Sequence, residues 1–156
     1  MNELDRSSNG SVKAVAMICL STGCRWSEAE SLKNSNVLKG KVIFTDTKSG
    51  KNRSIPLSNK ILKKLPNKQG DLFESCYSAF RKAVERCSFT LPPGQLTHVL
   101  RHTFASHFMI KGGNIIVLQR ILGHSSLTMT MRYSHFSPDH LQDAVKYNPL
   151  SDFEDS

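Results

Sequence analysis

The stretch Leu96-Thr97-His98-Val99-Leu100-Arg101-His102-Thr103-Phe104-Ala105-Ser106-His107, running on to Gly112-Gly113, decides the fold. Leu100, Phe104 and Phe108 recur at the spacing of one helix face, Thr97 can start a helix, and the glycine pair stops it. The spacing predicts a helix from Thr97 to about Lys111. On it His98 and Arg101 stand three apart on a face beside the apolar stripe, so a cationic edge borders the core. His98 and His102 also match part of the H-E-x-x-H zinc pattern, but the Glu is missing and Arg101 would put a cation beside the metal.

Outward from this helix, the C-terminal side is helical as well. Asn114 caps a segment ending at Leu122-Gly123, His124 follows that glycine, and Ser126 is expected to open a short helix containing Tyr133. Ser137-Pro138-Asp139 then reads as a cap, a first-turn proline and a dipole-favoured acid, predicting a last helix with Leu141, Ala144 and Val145 on one face.

Towards the N-terminus, Ser11 to Thr22 is almost uniformly apolar and stops at Gly23, which predicts a buried helix. Ser27 and Glu30 have capping-box spacing, so a second helix is expected to start there, with Arg25 held in the turn between. Val42 to Thr45 and Arg53 to Leu57 flank Lys48-Ser49-Gly50-Lys51 and read as a β-hairpin whose second strand, holding Pro56, is an edge. A P-loop is excluded because its first glycine and final hydroxyl residue are missing. Tyr77, Phe80, Val84 and Cys87 predict an amphipathic helix over 75–87, and Pro92-Pro93-Gly94 breaks the chain. The fold class is therefore α+β, mainly helical, with one small antiparallel sheet.

At 156 residues the chain fits one domain, with 38% hydrophobic and 22% charged residues favouring a folded core. The core is expected over about 11–136, the last helix over 137–150 and an acidic tail over 151–156. The opening residues carry no secretion signal, and no apolar run approaches a membrane span, which points to the cytoplasm. Cys19, Cys24, Cys76 and Cys87 form no C-x-x-C pair and read as reduced, mostly buried thiols. The net charge is +8, and Lys33 to Lys68 alone holds ten basic residues against one acid, Asp46. Such a surface is the footprint of a polyanion, although a solvated lysine face has the same count.

The motifs occur in one order: Thr22-Gly23-Cys24-Arg25-Trp26-Ser27-Glu28, a hairpin lysine, His98-x-x-Arg101-His102, Leu122-Gly123-His124, and Met131-Arg132-Tyr133-Ser134-His135. That order resembles the catalytic domain of the tyrosine recombinases, the lambda-integrase-like family, and the last stretches look like temperate-phage integrases of the peduovirus type. The resemblance covers about Val12 to Leu150 and implies a catalytic set of Arg25, Lys48, His98, Arg101, His124 and the nucleophile Tyr133, with Glu28 and His102 in support. Lys51 competes with Lys48 for the hairpin position. Lys33, Lys39, Lys41, Lys51 and Arg53 are the expected DNA-backbone contacts. The resemblance also implies double-stranded attachment-site DNA as partner, a homo-oligomer that is a tetramer in the synapse, accessory DNA-bending proteins, and an N-terminal DNA-binding domain not included in these residues.

The implied chemistry suits these residue types. Two arginines offer planar forks matching a phosphate, and His124 can add a further hydrogen bond to its oxygens. A phenol with a pKa near 10 is a better leaving group than an alcohol, so Tyr133 can form a reversible link. His98 is the expected base or positioner and Lys48 the expected acid, with no cofactor and no metal. The rival readings are a chromosome-dimer or plasmid-resolution recombinase, a DNA-binding module without cleavage, and, more remotely, a metal-dependent hydrolase using His98 and His102.

Overall fold

The computed structural model describes residues 1–45, 52–139 and 141–150. A short α1 (Asn2–Asp5) leads into α2 (Ser11–Thr22), the central helix. Val12, Val15, Ala16, Ile18, Cys19 and Thr22 are all buried on it, so α2 is enclosed on most sides. Each fully buried branched side chain contributes about 1.5–3 kcal/mol relative to exposure. Thr22, the polar member, is satisfied by donating its hydroxyl to the Ile18 carbonyl at 2.8 Å.

Gly23 ends α2 in the left-handed conformation, φ 65°. A Cβ there would stand 2.4 Å from the Phe104 ring, so both the backbone and the packing require glycine. The turn leads into α3 (Trp26–Glu30). This helix starts earlier than expected: Arg25 holds the N-cap position and Glu28, not Glu30, reaches back to the N-cap amide at 2.8 Å. Glu30 instead accepts from the Trp26 indole N–H at 3.2 Å and from the backbone N–H groups of Cys76 and Tyr77 at 2.7 and 3.1 Å. It thereby covers the open N-terminus of a helix 46 residues further on.

A three-stranded antiparallel sheet follows, β1 (Val37–Leu38), β2 (Lys41–Phe44) and β3 (Arg53–Pro56), in that spatial order. β1 was not expected. It joins β2 through the two-residue turn Lys39-Gly40, both at positive φ, the requirement of a tight hairpin. β3 is an edge strand, as its proline demands. Val42 pairs with Ile55 and Phe44 with Arg53, and all four side chains are buried.

α4 (Asn59–Leu62) and α5 (Tyr77–Glu85) complete the first half. α5 buries Phe80 and Ala83, with Phe80 against Trp26 at 4.5 Å between ring centroids, while Tyr77 is exposed. α6 (His98–Ile110) packs against α2, and α7 (Ile115–Leu122) packs against α6 and β3. The buried residues of α6 are Leu100, Arg101, Ala105 and Met109; of the expected stripe Leu100 is buried, whereas Phe104 and Phe108 are only partly so. Thr97 occupies the N-cap position without a side-chain bond, whereas Asn114 caps α7 through the Ile116 and Val117 amides.

α8 (Thr128–Met131) is a single turn capped at Leu127 rather than opened by Ser126, and Tyr133 lies beyond it at the start of a 3-10 turn, Ser134–Phe136. The expected helix from Pro138 shrinks to α9 (Asp143–Lys146). Asp139 accepts from the Leu141 amide at 3.0 Å, and Leu141, Val145, Tyr147 and Leu150 are exposed. No helix among the described residues is long and apolar enough to cross a membrane. Cys19, Cys24 and Cys76 are buried and Cys87 partly so, all as free thiols.

Candidate active site

Arg101 is buried at 6% exposure, and its guanidinium donates to two backbone carbonyls, Gly23 at 2.8 Å and Leu122 at 2.7 Å. Both carbonyls belong to helix ends closed by a left-handed glycine, so one cation satisfies the C-termini of α2 and α7 together. Two of its five donors are used, leaving three to address an anion. Burial, followed by the charges of Arg25 and Arg53, lowers its pKa to about 10, which still leaves it charged at neutral pH.

Arg25 enters from the α2–α3 turn. Its side chain pairs with Glu28 at 3.0 Å and remains 23% exposed, facing the same cleft. Glu28 accepts a second arginine as well, Arg53, whose two terminal nitrogens reach Oε1 at 3.2 Å and Oε2 at 2.7 Å. Burial alone would raise the Glu28 pKa, but the bonds from Arg53 and the Arg25 amide, with both positive charges, hold it below its ordinary value.

His124 stands just past Gly123 at the end of α7, its Nδ1 2.8 Å from the hydroxyl of Thr130, which is fully buried. Burial first, then the charges of Arg101, Arg25, Arg132 and Arg53, lowers the His124 pKa to about 4. The ring is therefore neutral. In the tautomer in which Nδ1 accepts from the Thr130 hydroxyl, the proton sits on Nε2 and is available to donate.

Tyr133 is 5% exposed, its ring packed in a small cluster with Ala105, Met109, Leu118 and Leu122. Its hydroxyl lies 2.6 Å from His102 Nδ1. Burial raises its pKa, with Arg101 and Arg132 opposing, so the phenol keeps its proton at rest. His98 is exposed one helical turn before His102. One cleft is lined by Arg25, Gln95, His98, Arg101, His102, His124, Met129, Arg132 and Tyr133. It gathers every expected catalytic side chain except Lys48, which lies with Lys51 outside the described residues. Two arginine forks, a neutral imidazole and a phenolic hydroxyl facing one space can together hold a phosphodiester and attack its phosphorus.

The sequence profile of the phage integrase family matches residues 1–71 and 73–140. The chain belongs to the phage integrase family. Within that family, the integrase of Escherichia phage 186 is 58% identical over 151 residues, covering 96% of this chain and 45% of its own length. The integrase of Haemophilus phage HP1 is 58% identical over 149 residues, covering 96% and 44%. The chain thus spans less than half the length of these relatives. The catalytic domain of bacteriophage HP1 integrase superposes with a TM-score of 0.92 at 57% identity, covering 96% of this chain and 89% of that one. The site-specific recombinase XerH bound to its difH substrate, in a pre-cleavage complex, shares the fold with a TM-score of 0.69 at 23% identity, covering 94% and 50%. The mainly helical α+β arrangement is that of the tyrosine-recombinase catalytic domain.

For a phage integrase family member, one expectation about DNA contacts needs correction. Arg53 is no exposed backbone contact: its side chain is 4% exposed, is forked onto Glu28 and lies over Phe44 at 5.1 Å from the ring centroid. A cation forked onto a buried carboxylate cannot also extend to a phosphate. Lys33, Lys39 and Lys41 are exposed. Arg132, not singled out in the sequence, also lines the cleft, and its position beside Tyr133 was the available signal.

Proposed function

We propose that this chain is the catalytic part of a site-specific recombinase that cuts and rejoins double-stranded DNA through a 3′-phosphotyrosyl link, serving integration and excision of a phage genome in a bacterial cytoplasm. The observation carrying this reading is the convergence of Arg25, Arg101, His124 and Tyr133 on one cleft. The two arginines and His124 Nε2–H hold the non-bridging oxygens of the scissile phosphate, and Tyr133 attacks phosphorus. The departing 5′-oxygen takes a proton from Lys48 in the family assignment. The link keeps the phosphoester bond, so rejoining needs no energy source. Lys33, Lys39 and Lys41 contact the DNA backbone, and accessory DNA-bending proteins assist assembly.

The deciding experiment incubates the protein with a nicked attachment-site duplex and maps the denaturant-resistant adduct. Tyr133→Phe should abolish the adduct while DNA retention stays within about twofold. An adduct surviving in that variant, or one lost with EDTA in the unaltered protein, removes the reading.

The protein works as a homo-oligomer on DNA, a tetramer in the synapse, with the C-terminal segment passed to a neighbouring protomer. Four exposed apolar side chains, Leu141, Val145, Tyr147 and Leu150, support this, since a segment packed on its own domain would bury them. Removing residues 141–156 should leave a folded monomer with weaker self-association and less coordinated recombination, read by sedimentation and by recombinant yield. A truncated protein that unfolds outright points to intramolecular packing instead.

A further inference from the structure

We infer that His102 is the catalytic base that receives the Tyr133 proton during strand cleavage and returns it on rejoining, an assignment that rests on the recombination reading above. The sequence put His98 in that role. Geometry separates the two: Tyr133 Oη is 2.6 Å from His102 Nδ1, while His98 is exposed on the cleft rim, its ring centroid 6.4 Å from that of His102.

Among the described residues, His102 is the hydrogen-bond partner of the phenol in the DNA-free structure. The Tyr133 ring is packed among Ala105, Met109, Leu118 and Leu122, and its hydroxyl is bonded to His102. The two side chains come from elements 31 residues apart, α6 and the turn after α8, so the contact is a product of the fold rather than of neighbouring sequence. It sets a nucleophile and an acceptor at the separation that general base catalysis needs before any substrate arrives.

The protonation states agree. His102 is faced by His98 and Arg101 on its own helix, by Arg132 and Tyr133 after α8, and across the cleft by Arg25 and His124. No carboxylate lines this cleft among the described residues. Burial, then Arg132, His98 and Arg101, lowers the His102 pKa, so its ring is neutral and Nδ1 can accept. A phosphodiester entering the cleft brings negative charge, offsets these cations and raises the basicity of His102 when attack begins.

The balance of the step is complete. The Tyr133 O–H bond breaks and its proton passes to His102 Nδ1 as the Oη–P bond forms. The P–O5′ bond breaks with its electron pair on the 5′-oxygen, which is protonated by the acid named above. In rejoining, the 5′-hydroxyl attacks phosphorus, and His102 gives the proton back to the departing phenolate. His98, released from this role, is free to meet the DNA.

The test measures single-turnover cleavage of a nicked duplex against pH. In the unaltered protein the rate should fall on the acid side with a midpoint equal to the His102 pKa, read by NMR on the unaltered protein bound to a non-cleavable duplex. His102→Asn keeps an acceptor near Nδ1 but cannot take a proton. It should retain DNA binding, cleave about 10²–10⁴-fold more slowly, and lose the acid limb. Fluorinated tyrosine at position 133, whose hydroxyl ionises more readily, should rescue the Asn variant by a larger factor than it changes the parent. Cleavage by His102→Asn within about threefold of the parent overturns the assignment, as does an acid limb that vanishes in His98→Asn instead. If His102→Asn does not fold, an acid-limb midpoint that departs from the NMR value overturns it in the unaltered protein alone. Failure to form any Tyr133 adduct is a different result, and it removes the recombination reading itself.

Discussion

At the scale of single residues, the cleft stores its pH behaviour in two histidines. His124, with a pKa lowered to about 4, and His102, also lowered, bind fewer protons folded than unfolded in the range below the ordinary imidazole value. Unfolding then takes up protons, so stability rises with pH there. Their contribution is full above about pH 6.5 and is lost as pH falls towards 4. The Glu28 contribution has a lower window, below the ordinary carboxylate pKa, because its own pKa is depressed. Thermal unfolding of the DNA-free protein should therefore drop between pH 7 and pH 5, by about 2–4 °C for each kcal/mol lost. His124→Gln should flatten that slope, and an unchanged slope would show that the ring is solvated and not held among the arginines.

Between elements, Glu28 is the junction. Its carboxylate joins the α2–α3 turn to β3 through Arg53, and Arg53 lies beneath Gly123, where a Cβ would come within 2.8 Å of its Nη1. One arginine thus sets the distance between Arg25 and His124 without entering the cleft. Arg53→Lys keeps the charge but loses the fork and the Phe44 stacking. It should destabilise the protein by about 1–3 kcal/mol, since the lost hydrogen bond leaves part of a buried carboxylate unsatisfied. Adduct formation should fall more than DNA retention. A variant with parental stability and cleavage rate would mean that the network is redundant.

How much of this was legible varies with the range of each contact. The burial of α2 and the Asn114 cap follow from neighbouring residues, and the structure has both. Arg53 was misassigned because its charge was counted and its alternation was not: Arg53, Ile55 and Leu57 point inward while Ser54 and Pro56 point outward, the ordinary period of a strand. The Lys39-Gly40 turn was a readable hairpin signal of the same kind. By contrast, the caps supplied by Glu30 and the bond between His102 and Tyr133 join residues 31 to 47 positions apart, and nothing local encodes such pairs. The last helix failed for an energetic reason. A stripe of apolar residues favours a helix only when a surface receives it, and in a single copy Leu141 and Val145 meet none.

For the whole molecule, the two hydrophobic clusters divide the labour. The larger one, around α2 with the sheet and α5, fixes Arg25, while the smaller one, between α6 and α7, includes the Tyr133 ring itself. Arg101 spans them, bonded to the end of a helix from each side. Relative movement of the halves is therefore resisted at the point where the proposed scissile phosphate would be held.

Packing the proposed nucleophile, Tyr133, into a hydrophobic cluster also bears on what the protein would do between encounters with DNA. A recombinase that scans a chromosome passes a vast excess of phosphodiesters that it must leave intact, and a tyrosine lying open on the DNA-facing surface would risk nicking them. In the recombination proposal, a Tyr133 side chain only 5% exposed in the DNA-free structure offers little surface to passing phosphodiesters, which would make silence the resting condition and genome damage the avoided outcome. Chemical modification reads this directly. Tetranitromethane should nitrate Tyr77 and Tyr147, which are 45% and 69% exposed, well before Tyr133 at 5%. Protein nitrated to that stage should still form its adduct, and early nitration of Tyr133 would show that this packing is open in solution.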